Sequence, residues 1–388
     1  MKYSAQHQSR ALNLSFRPAT TALAIAIVFA CATLFAQSAP AQTFTVLHHF
    51  GSEGASPGGG ITMDQQGRFY GTTHYSPVDL GSGTTGTAIN NSGTVVGLID
   101  ANNTSYAFYY SNGILTPLMV PGIQGYAQAT GINNAGVIVG AGYVNPQTYS
   151  QPYVSFVDNN GSFQIISNPG GTTTAQGVNN DGVVAGGYAL NYGNFFWDPF
   201  TYTNGQFTSL GAFGPAWVTY ALAINDSDTI VGSYSNPNSN HGAHAFSYSN
   251  GSYTSLGTLP GGSYSSANAI NNAGTIVGYS TIANGDNHAF SYSNGNMTDL
   301  GTVAGFSNSV ANGINSAGAV VGFASDTTST GYSPDNHAFV YIDGALIDLN
   351  SALSRAIGTT LADAFAINDS GQIVAEGSNG HAYLLSPY

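Results

Sequence analysis

The chain is poor in cysteine and in basic residues. Its single cysteine, Cys31, lies within the first 41 of 388 residues. We therefore expect no disulfide in the remainder, where stability must come from burial and backbone pairing. Beyond residue 41 only Arg68 and Arg355 are basic, against 18 acidic residues, so that part has a net charge of −16. Binding to phosphate backbones requires several Lys or Arg side chains, which argues against nucleic acid and anionic membranes as partners.

Common catalytic and cofactor-binding motifs are also missing. The sequence has no P-loop or zinc-binding helix, and no dinucleotide fingerprint or Gly-x-Ser-x-Gly elbow at a strand–helix junction. The scarcity of Lys, Glu and Arg argues against long amphipathic helices, whereas Gly, Ser, Thr, Asn and Tyr are abundant. We expect an all-β protein that uses no cofactor and no metal.

Residues 1–41 have the organisation of a signal peptide. Lys2, Arg10 and Arg17 flank the start of the apolar run TALAIAIVFACATLFA, and Ala-Pro-Ala at 39–41 supplies a small-x-small cleavage pattern. The run is too short and wrongly flanked for a stable membrane span. We predict a protein that is secreted or periplasmic, without a membrane span after cleavage, and monomeric.

A short pattern recurs seven times in the rest of the chain. Each copy begins with an apolar residue, Asn and two small or polar residues. Then come a position that is usually Gly, one more residue, an apolar pair and a final residue that is usually Gly. The copies begin at residues 89, 132, 178, 224, 270, 314 and 367, which are 43 to 53 residues apart. The Asn side chain can bond to backbone two residues on, and Gly supplies a positive φ, so each copy predicts a tight turn between two strands. Asp228 is the one substitution at the Gly position, and Asp tolerates that conformation better than most residues.

Each repeat predicts a second hairpin as well. In HAFSYSNGSYTSLG, at 244–257, Asn250-Gly251 is a strong two-residue turn signal. Four short strands per repeat are typical of a propeller blade. The seventh repeat ends after its third strand, while PVDLG at 77–81 matches the fourth-strand string MTDLG at 297–301. We predict a seven-bladed β-propeller closed by an N-terminal strand that completes the last blade; the alternative is an open arc.

Residues 76–388 resemble the HAF-type extracellular repeat, most specifically over 244–343, where His-Ala-Phe, Asp-Leu-Gly-Thr, Ile-Asn and Val-Val-Gly strings follow at similar spacing. Residues 43–75 resemble one copy of the GloVer-type repeat, with its Val-Leu-His-x-Phe opening and Tyr-Gly-Thr-Thr ending. Both families consist mainly of exported bacterial repeats without an assigned activity. The resemblance therefore implies location and architecture, with 42–75 as an N-terminal β extension beside a seven-repeat propeller at 76–388.

The repeated histidine is expected to be structural. Its slot is occupied in turn by Tyr106, Val154, Asp198, His244, His288, His337 and His381. A propeller spreads such residues around its circumference, so they do not meet in one catalytic or metal site. Two weaker candidates are Asp226 with Asp228, spaced as in calcium loops, and Glu376, which would need an aspartate partner to act as glycosidase acids do; no sequence signal supplies that partner.

Variable connections between second and third strands give the candidate binding surface, because function concentrates on loops held by a rigid scaffold. These connections and their flanks carry the candidate ligand-binding aromatics Tyr143, Tyr149, Tyr188, Tyr192, Trp197, Tyr234 and Tyr332. Aromatic rings beside amides and hydroxyls suit sugar faces and protein surfaces. We predict a secreted, non-enzymatic module that binds glycans or cell-surface proteins. The alternatives are that the rings only seal their own loops, that the protein is a polysaccharide lyase or glycosidase, or that it is purely structural.

Overall fold

The computed structural model describes part of the chain: residues 62–63, 69–70, 74–101, 104–144, 153–168, 171–189, 197–214, 218–236, 242–328, 330, 333 and 335–387. The predicted signal peptide and most of the predicted extension at 42–75 lie outside these residues. The chain divides into two compact units, Met1–Thr72 and Thr73–Tyr388. In the first unit, β1 (Thr62–Met63) and β2 (Phe69–Tyr70) pair in antiparallel fashion.

The second unit begins with β3 (Tyr75–Ser82) and contains seven antiparallel sheets of four strands, numbered here as blades 1 to 7 along the chain. Blades 1 to 3 consist of β4 (Thr84–Ile89), β5 (Val95–Ala101), β6 (Thr104–Ser111), β7 (Ile114–Leu118), β8 (Ala127–Ile132), β9 (Val137–Tyr143), β10 (Tyr153–Asn159), β11 (Ser162–Ile166), β12 (Thr172–Val178), β13 (Val184–Ala189), β14 (Asp198–Thr203) and β15 (Gln206–Ser209). Blades 4 to 6 consist of β16 (Val218–Ile224), β17 (Ile230–Ser235), β18 (His244–Ser249), β19 (Ser252–Gly257), β20 (Ser265–Ile270), β21 (Ile276–Thr281), β22 (Asn287–Ser293), β23 (Asn296–Gly301), β24 (Asn308–Ile314), β25 (Val320–Ser325), β26 (His337–Ile342) and β27 (Ala345–Asp348). Blade 7 consists of β28 (Leu361–Ile367), β29 (Ile373–Gly377), β30 (His381–Pro387) and β3.

Blade 7 closes the ring with a strand from the other end of the chain. Strand β3 pairs with β30 so that Val78 lies opposite Leu384 and Asp79 lies opposite Tyr383. Leu80 and Leu384 share one buried cluster with Phe108 of blade 1. The fold is a seven-bladed β-propeller completed by its N-terminal strand, so both predictions are confirmed. The pairing of β3 with β30 covers the edge that β30 would otherwise present, and only short outer edges remain on the blades.

A repeated aromatic residue fills the space between neighbouring blades. Third strands contribute Phe108, Phe156, Phe200, Phe246, Phe290, Phe339 and Tyr383, all buried. In blade 5, for example, Phe290 packs with Val231 and Ala245 of blade 4 and with Ala267 of its own inner strand. A blade alone cannot bury both of its faces, so this contact explains why the repeats form a ring.

The short turns and the long connections lie at opposite ends of the strands. We call the end with the turns between first and second and between third and fourth strands the tight-turn face, and the opposite end the loop face. Third-to-fourth turns have Asn or Asp at positive φ before Gly, as at Asn250 (φ 51) and Gly251 (φ 77), the pattern of a type I′ hairpin. Asp228 has φ 55 where the other repeats have Gly, as predicted. Among the described residues, no helix is long and apolar enough to cross a membrane.

Candidate functional site

The axis of the propeller is held by a ring of asparagines. In each first-to-second turn the first Asn accepts backbone hydrogen bonds within its own turn, as Asn133 Oδ1 does from Ala135 N (3.0 Å) and Val137 N (2.9 Å). Its Nδ2 donates to the backbone carbonyl of the corresponding Asn of the next blade. The seven acceptor carbonyls, at 2.9 to 3.2 Å, belong in order to Asn133, Asn179, Asn225, Asn271, Asn315, Asn368 and Asn90.

The asparagine ring forms the floor of a polar funnel on the tight-turn face. The funnel has a volume of about 220 Å³ and is lined by the turns of all seven blades. Asp226 lies in this wall, where Oδ2 accepts from Asn180 Nδ2 (2.8 Å) and Asn272 Nδ2 (2.6 Å). Asp228 Oδ1 instead accepts from Asn179 Nδ2 at 2.8 Å. Both candidate calcium ligands therefore take part in bonds between turns, and no group of three His, Cys, Asp or Glu side chains in the described part is placed to hold a metal ion.

The repeated histidine joins the third strand of a blade to the fourth. His288 Nδ1 lies 2.9 Å from Asp299 Oδ2, His337 Nδ1 lies 2.8 Å from Asp348 Oδ2, and His381 Nδ1 lies 3.0 Å from Asp79 Oδ1. These pairs recur in blades 5, 6 and 7, which fits the structural role predicted for the slot. The side chains are partly exposed, at 17 to 34% for the imidazoles.

Two of the predicted ligand-binding tyrosines are buried in their own blades. Tyr188 is 7% exposed and its hydroxyl lies 2.7 Å from Ser209 Oγ. Tyr234 is 8% exposed and its hydroxyl donates to Ser255 Oγ at 2.8 Å. The ring of Tyr234 also stacks on Phe213 at a centroid distance of 3.8 Å. These two rings therefore support the loop face from beneath.

The other predicted aromatics are distributed unevenly over the described residues. Tyr143 lies in a cluster with Tyr126 and Tyr153, at centroid distances of 5.9 and 4.8 Å. Trp197 is half-buried and lies 6.3 Å from the ring of Tyr220, which is 42% exposed. Tyr149, Tyr192 and Tyr332 lie outside the described residues. Trp197 and Tyr143 are thus the two predicted aromatics that the described residues place at the loop face without full burial.

A tyrosine fills one interblade position in most of the ring. The position lies in the third strand and pairs with a residue at the start of the second strand. It is occupied by Tyr110, Tyr202, Tyr248, Tyr292 and Tyr341. Each packs into the contact with the preceding blade, and Tyr202 reaches far enough for its hydroxyl to donate to Gln164 Oε1 of blade 2 at 3.2 Å. Leu385 occupies the position in blade 7.

Blade 2 has an aspartate at this position. Asp158 lies opposite Ile138 in the same register as the tyrosines, and its short side chain leaves the space between blades 1 and 2 unfilled. A cleft of about 710 Å³ opens there on the tight-turn face. Asp158 is 5% exposed, and its Oδ1 accepts one hydrogen bond, from Gly161 N at 2.6 Å.

The lining of this cleft combines two aromatic rings with polar groups. Tyr109 enters from blade 1, at a position where the other blades have Val, Thr, Ser or Leu, and Phe163 enters from blade 2. Thr116 and Asn134 supply a hydroxyl and an amide, and Asp158 supplies the carboxylate. Met119, 70% exposed, lies at the rim. Concave sites with aromatic walls and a few convergent polar groups are typical of small-ligand binding.

Glu376 has an aspartate partner that the sequence did not indicate. Asp363 and Glu376 face each other across β28 and β29. Asp363 is 3% exposed and accepts from Asn312 Nδ2 at 2.8 Å. Burial, followed by the nearby Glu376 carboxylate, raises the pKa of Asp363 well above its usual value. Burial also raises the pKa of Glu376, to about 7, against a smaller lowering by a hydrogen bond from Thr85.

Sequence reasoning missed both the cleft and the carboxyl pair. The cleft has a sequence signal, because an alignment of the seven repeats on their Asn-Gly turns shows Asp158 in a column of tyrosines. The carboxyl pair has a weaker one. Blade 7 carries a second register shift, between Leu361 and Asp363, and the sequence pattern does not reveal which residue then faces Glu376.

Comparisons with known proteins place the chain at the level of the fold. No family model matches the chain, and no curated protein matches it either. Solved structures do match: selenomethionine-substituted virginiamycin B lyase from Staphylococcus aureus is 11% identical with a TM-score of 0.51, over 80% of this chain and 99% of that one. A catalytically inactive form of that lyase with quinupristin is 10% identical with a TM-score of 0.50, over the same shares of the two chains. TolB from Acinetobacter baumannii is 9% identical, with a TM-score of 0.41, over 76% of this chain and 63% of that one. Likeness at these identities concerns the fold alone, and the chain is a seven-bladed β-propeller.

Proposed function

We propose that this chain is an exported, non-enzymatic β-propeller that binds neutral glycans in the cleft between blades 1 and 2. The observation that carries the proposal is the replacement of an interblade tyrosine by Asp158, which opens about 710 Å³ beside Tyr109 and Phe163. Small-ligand sites have volumes of roughly 300–1,000 Å³. The predicted signal peptide at 1–41 supports export to the periplasm or the cell exterior.

A neutral sugar matches the chemistry of the lining. Aromatic rings such as Tyr109 and Phe163 can contact the apolar C–H face of a pyranose. Asp158 can accept hydrogen bonds from sugar hydroxyls, and a carboxylate makes stronger hydrogen bonds than a neutral acceptor. An anionic sugar is disfavoured because its charge would lie close to that of Asp158 in a partly buried cleft.

The proposal is tested by screening the mature protein on a glycan array and then measuring the best ligand by calorimetry with two sets of variants. We expect Tyr109→Ala and Asp158→Asn to weaken binding at least about tenfold, the loss expected for one charged hydrogen bond or one stacked ring. The matched controls Trp197→Ala and Tyr220→Ala, on the loop face, should leave the affinity unchanged. Equal losses in both sets, with all variants folded, would contradict assignment to this cleft, and a loss only in the controls would move the site to the loop face.

A polysaccharide-cleaving enzyme is the second candidate function, favoured by the Asp363–Glu376 pair. Residues directly opposite on neighbouring antiparallel strands have Cβ atoms about 5 Å apart, within reach of the carboxyl spacing of retaining glycosidases. We rank this function second because the carboxylate of Asp363 is buried against Glu376 and Asn312, whereas that of Asp158 lines a cleft. Release of new reducing ends or unsaturated products from a polysaccharide panel, abolished by Glu376→Gln, would replace the binding function by this one.

A further inference from the structure

The connection between blades 6 and 7 forms a second cavity, on the loop face. This connection makes the spacing between the last two repeats the longest, at 53 residues. It contains a 3-10 helix, η1 (Leu349–Ala352), held by buried Leu349. Asn350 fixes the far end of the connection, since its Nδ2 donates to Leu361 O at 3.0 Å and its Oδ1 accepts from Leu361 N at 2.7 Å. The resulting cavity of about 500 Å³ is lined by His337, Asn350, Leu353 and residues 355–360.

Arg355 gives this cavity a positive charge, in contrast to the acidic character of the rest of the described residues. It is the only Lys or Arg among the described residues, which carry sixteen Asp and Glu residues. Its Nη2 donates to Pro77 O at 3.0 Å, which holds the guanidinium at the cavity wall and uses one of its five N–H groups. A guanidinium has donors in a planar fork that suits two oxygens of a carboxylate.

His337 supplies an acceptor to the same cavity. Asp348 Oδ2 lies 2.8 Å from Nδ1, and an ionised carboxylate can only accept, so Nδ1 carries its proton and Nε2 is left to accept from a hydroxyl or N–H group of a ligand. The imidazole also packs against Phe306 at a centroid distance of 4.8 Å. Because Asp348 is held by Asn350 N at 2.8 Å, the imidazole is oriented before any ligand arrives.

We propose that this cavity binds the carboxylate group of an acidic ligand, with Arg355 as the charged anchor and His337 beside it. A single negative charge matches the single guanidinium, whereas a phosphate monoester would bring a second charge close to Asp348. Leu353 and Ile357 supply apolar contact for the carbon skeleton that bears the carboxylate. We expect the carboxylate to belong to a uronic acid unit of a polysaccharide, because hydroxyls of the same sugar can donate to Nε2 of His337; binding of a peptide carboxylate instead is an outcome of the test. This site does not rest on the proposed glycan cleft, which lies on the opposite face.

The inference is tested by calorimetry with three probes on the mature protein: a galacturonic acid trimer, its fully methyl-esterified form, and a short peptide with a free carboxyl terminus. We expect the trimer to bind, and its ester to bind at least about tenfold more weakly than the free acid. Tighter binding of the peptide than of the trimer would contradict a uronic acid ligand and assign the carboxylate to a peptide. Inorganic phosphate should compete poorly.

Variants separate recognition from structure. Arg355→Gln should weaken carboxylate binding at least about tenfold, and Arg355→Lys should restore part of it because the charge is kept while the fork is lost. His337→Gln should weaken binding as well. The matched control is His288→Gln, which breaks the same kind of His–Asp pair in blade 5 and should leave the affinity unchanged.

Thermal unfolding shows whether each variant is folded before its affinity is read. Equal affinity of wild type and Arg355→Gln, equal affinity for the acid and its ester, or no binding of either acidic probe would overturn the inference. So would an effect of His288→Gln as large as that of His337→Gln. Variants of Tyr109 or Asp158 should not change carboxylate affinity, so failure here is distinct from failure of the proposed function.

Discussion

The side-chain amide of Asn368 donates a hydrogen bond of 3.0 Å to the backbone carbonyl of Asn90, which joins blade 7 to blade 1 and closes the ring of asparagines on the axis. Each Asn therefore serves two levels of structure. Its Oδ1 holds its own turn, and its Nδ2 holds the next blade. This double use explains why the residue occurs in all seven repeats while the residue after it varies.

Loss of one member of the asparagine ring should destabilise the whole propeller. Asn271→Ala removes the donor to Asn315 O (3.0 Å) and the acceptor for Thr275 N (2.9 Å), so that one bond between blades and one bond within the turn are lost. We expect the free energy of unfolding to fall by about 1–3 kcal/mol, measured by urea denaturation. Asn296→Ala, at an exposed position of the same blade, is the control and should cost less than about 0.5 kcal/mol. Similar losses for both variants would contradict the role of the ring.

The glycine at the end of the repeated pattern is required by a bulge in the inner strand. In blade 5 the register of β20 shifts between Ala267 and Ala269, and a Cβ added to Gly278 would lie 1.9 Å from Ser266 O. We expect Gly278→Ala to cost more than about 2 kcal/mol because backbone must move. Gly295→Ala, at a φ of +82 with nothing within 4 Å, should cost only about 1 kcal/mol. Thermal unfolding of the two variants compares their stabilities directly. A Gly278→Ala protein as stable as Gly295→Ala would show that the backbone of the inner strand can move away from the added Cβ at little cost.

The carboxyl pair in blade 7 should make stability depend on pH. Burial raises the pKa of Glu376 from 4.5 to about 7 in the folded protein, so between these values the folded state binds more protons than the unfolded state. The free energy of unfolding therefore falls as the pH rises from about 4.5 to 7. Glu376→Gln should reduce this decline and be more stable than wild type at pH 8 by about 1–2 kcal/mol, which is less than the full pKa shift implies because solvent screens a partly exposed carboxylate.

Chemical denaturation at pH 4.5, 6 and 8 measures this effect. Asp363→Asn should act in the same direction, since burial and the Glu376 carboxylate raise the pKa of Asp363 itself. Asp335→Asn, at an exposed carboxyl of the loop face, should leave the pH profile unchanged. A Glu376→Gln protein with the same decline as wild type would show that other groups cause it.

The architecture could be predicted because short sequence motifs and their spacing determine it. The Asn-x-x-Gly and Asn-Gly turns define the strands, their spacing gives the number of blades, and PVDLG identifies the closing strand. The interblade residues Phe246 and Phe290 also carry a sequence signal, since they recur at one position of the repeat, and both are fully buried.

The candidate site could be predicted only in part because it depends on contacts between repeats. Whether a loop-face aromatic such as Tyr188 is covered depends on residues of its own blade, here Ser209 and Phe207, and not on its sequence neighbours. The meaning of Asp158 appears only when the position is seen to face the preceding blade. Exceptions to a repeat, rather than its constant residues, mark the candidate sites in this molecule.

The most direct test of the account is to fill the cleft between blades 1 and 2 with the residue that five other blades carry there. Calorimetric titration of Asp158→Tyr with the best neutral glycan from the array measures this. Since Tyr202 spans the equivalent gap to Gln164 at 3.2 Å, the new tyrosine should reach toward Thr116, leave the fold intact and abolish binding. Undiminished affinity in a folded Asp158→Tyr protein would show that the glycan does not bind in the cleft between blades 1 and 2.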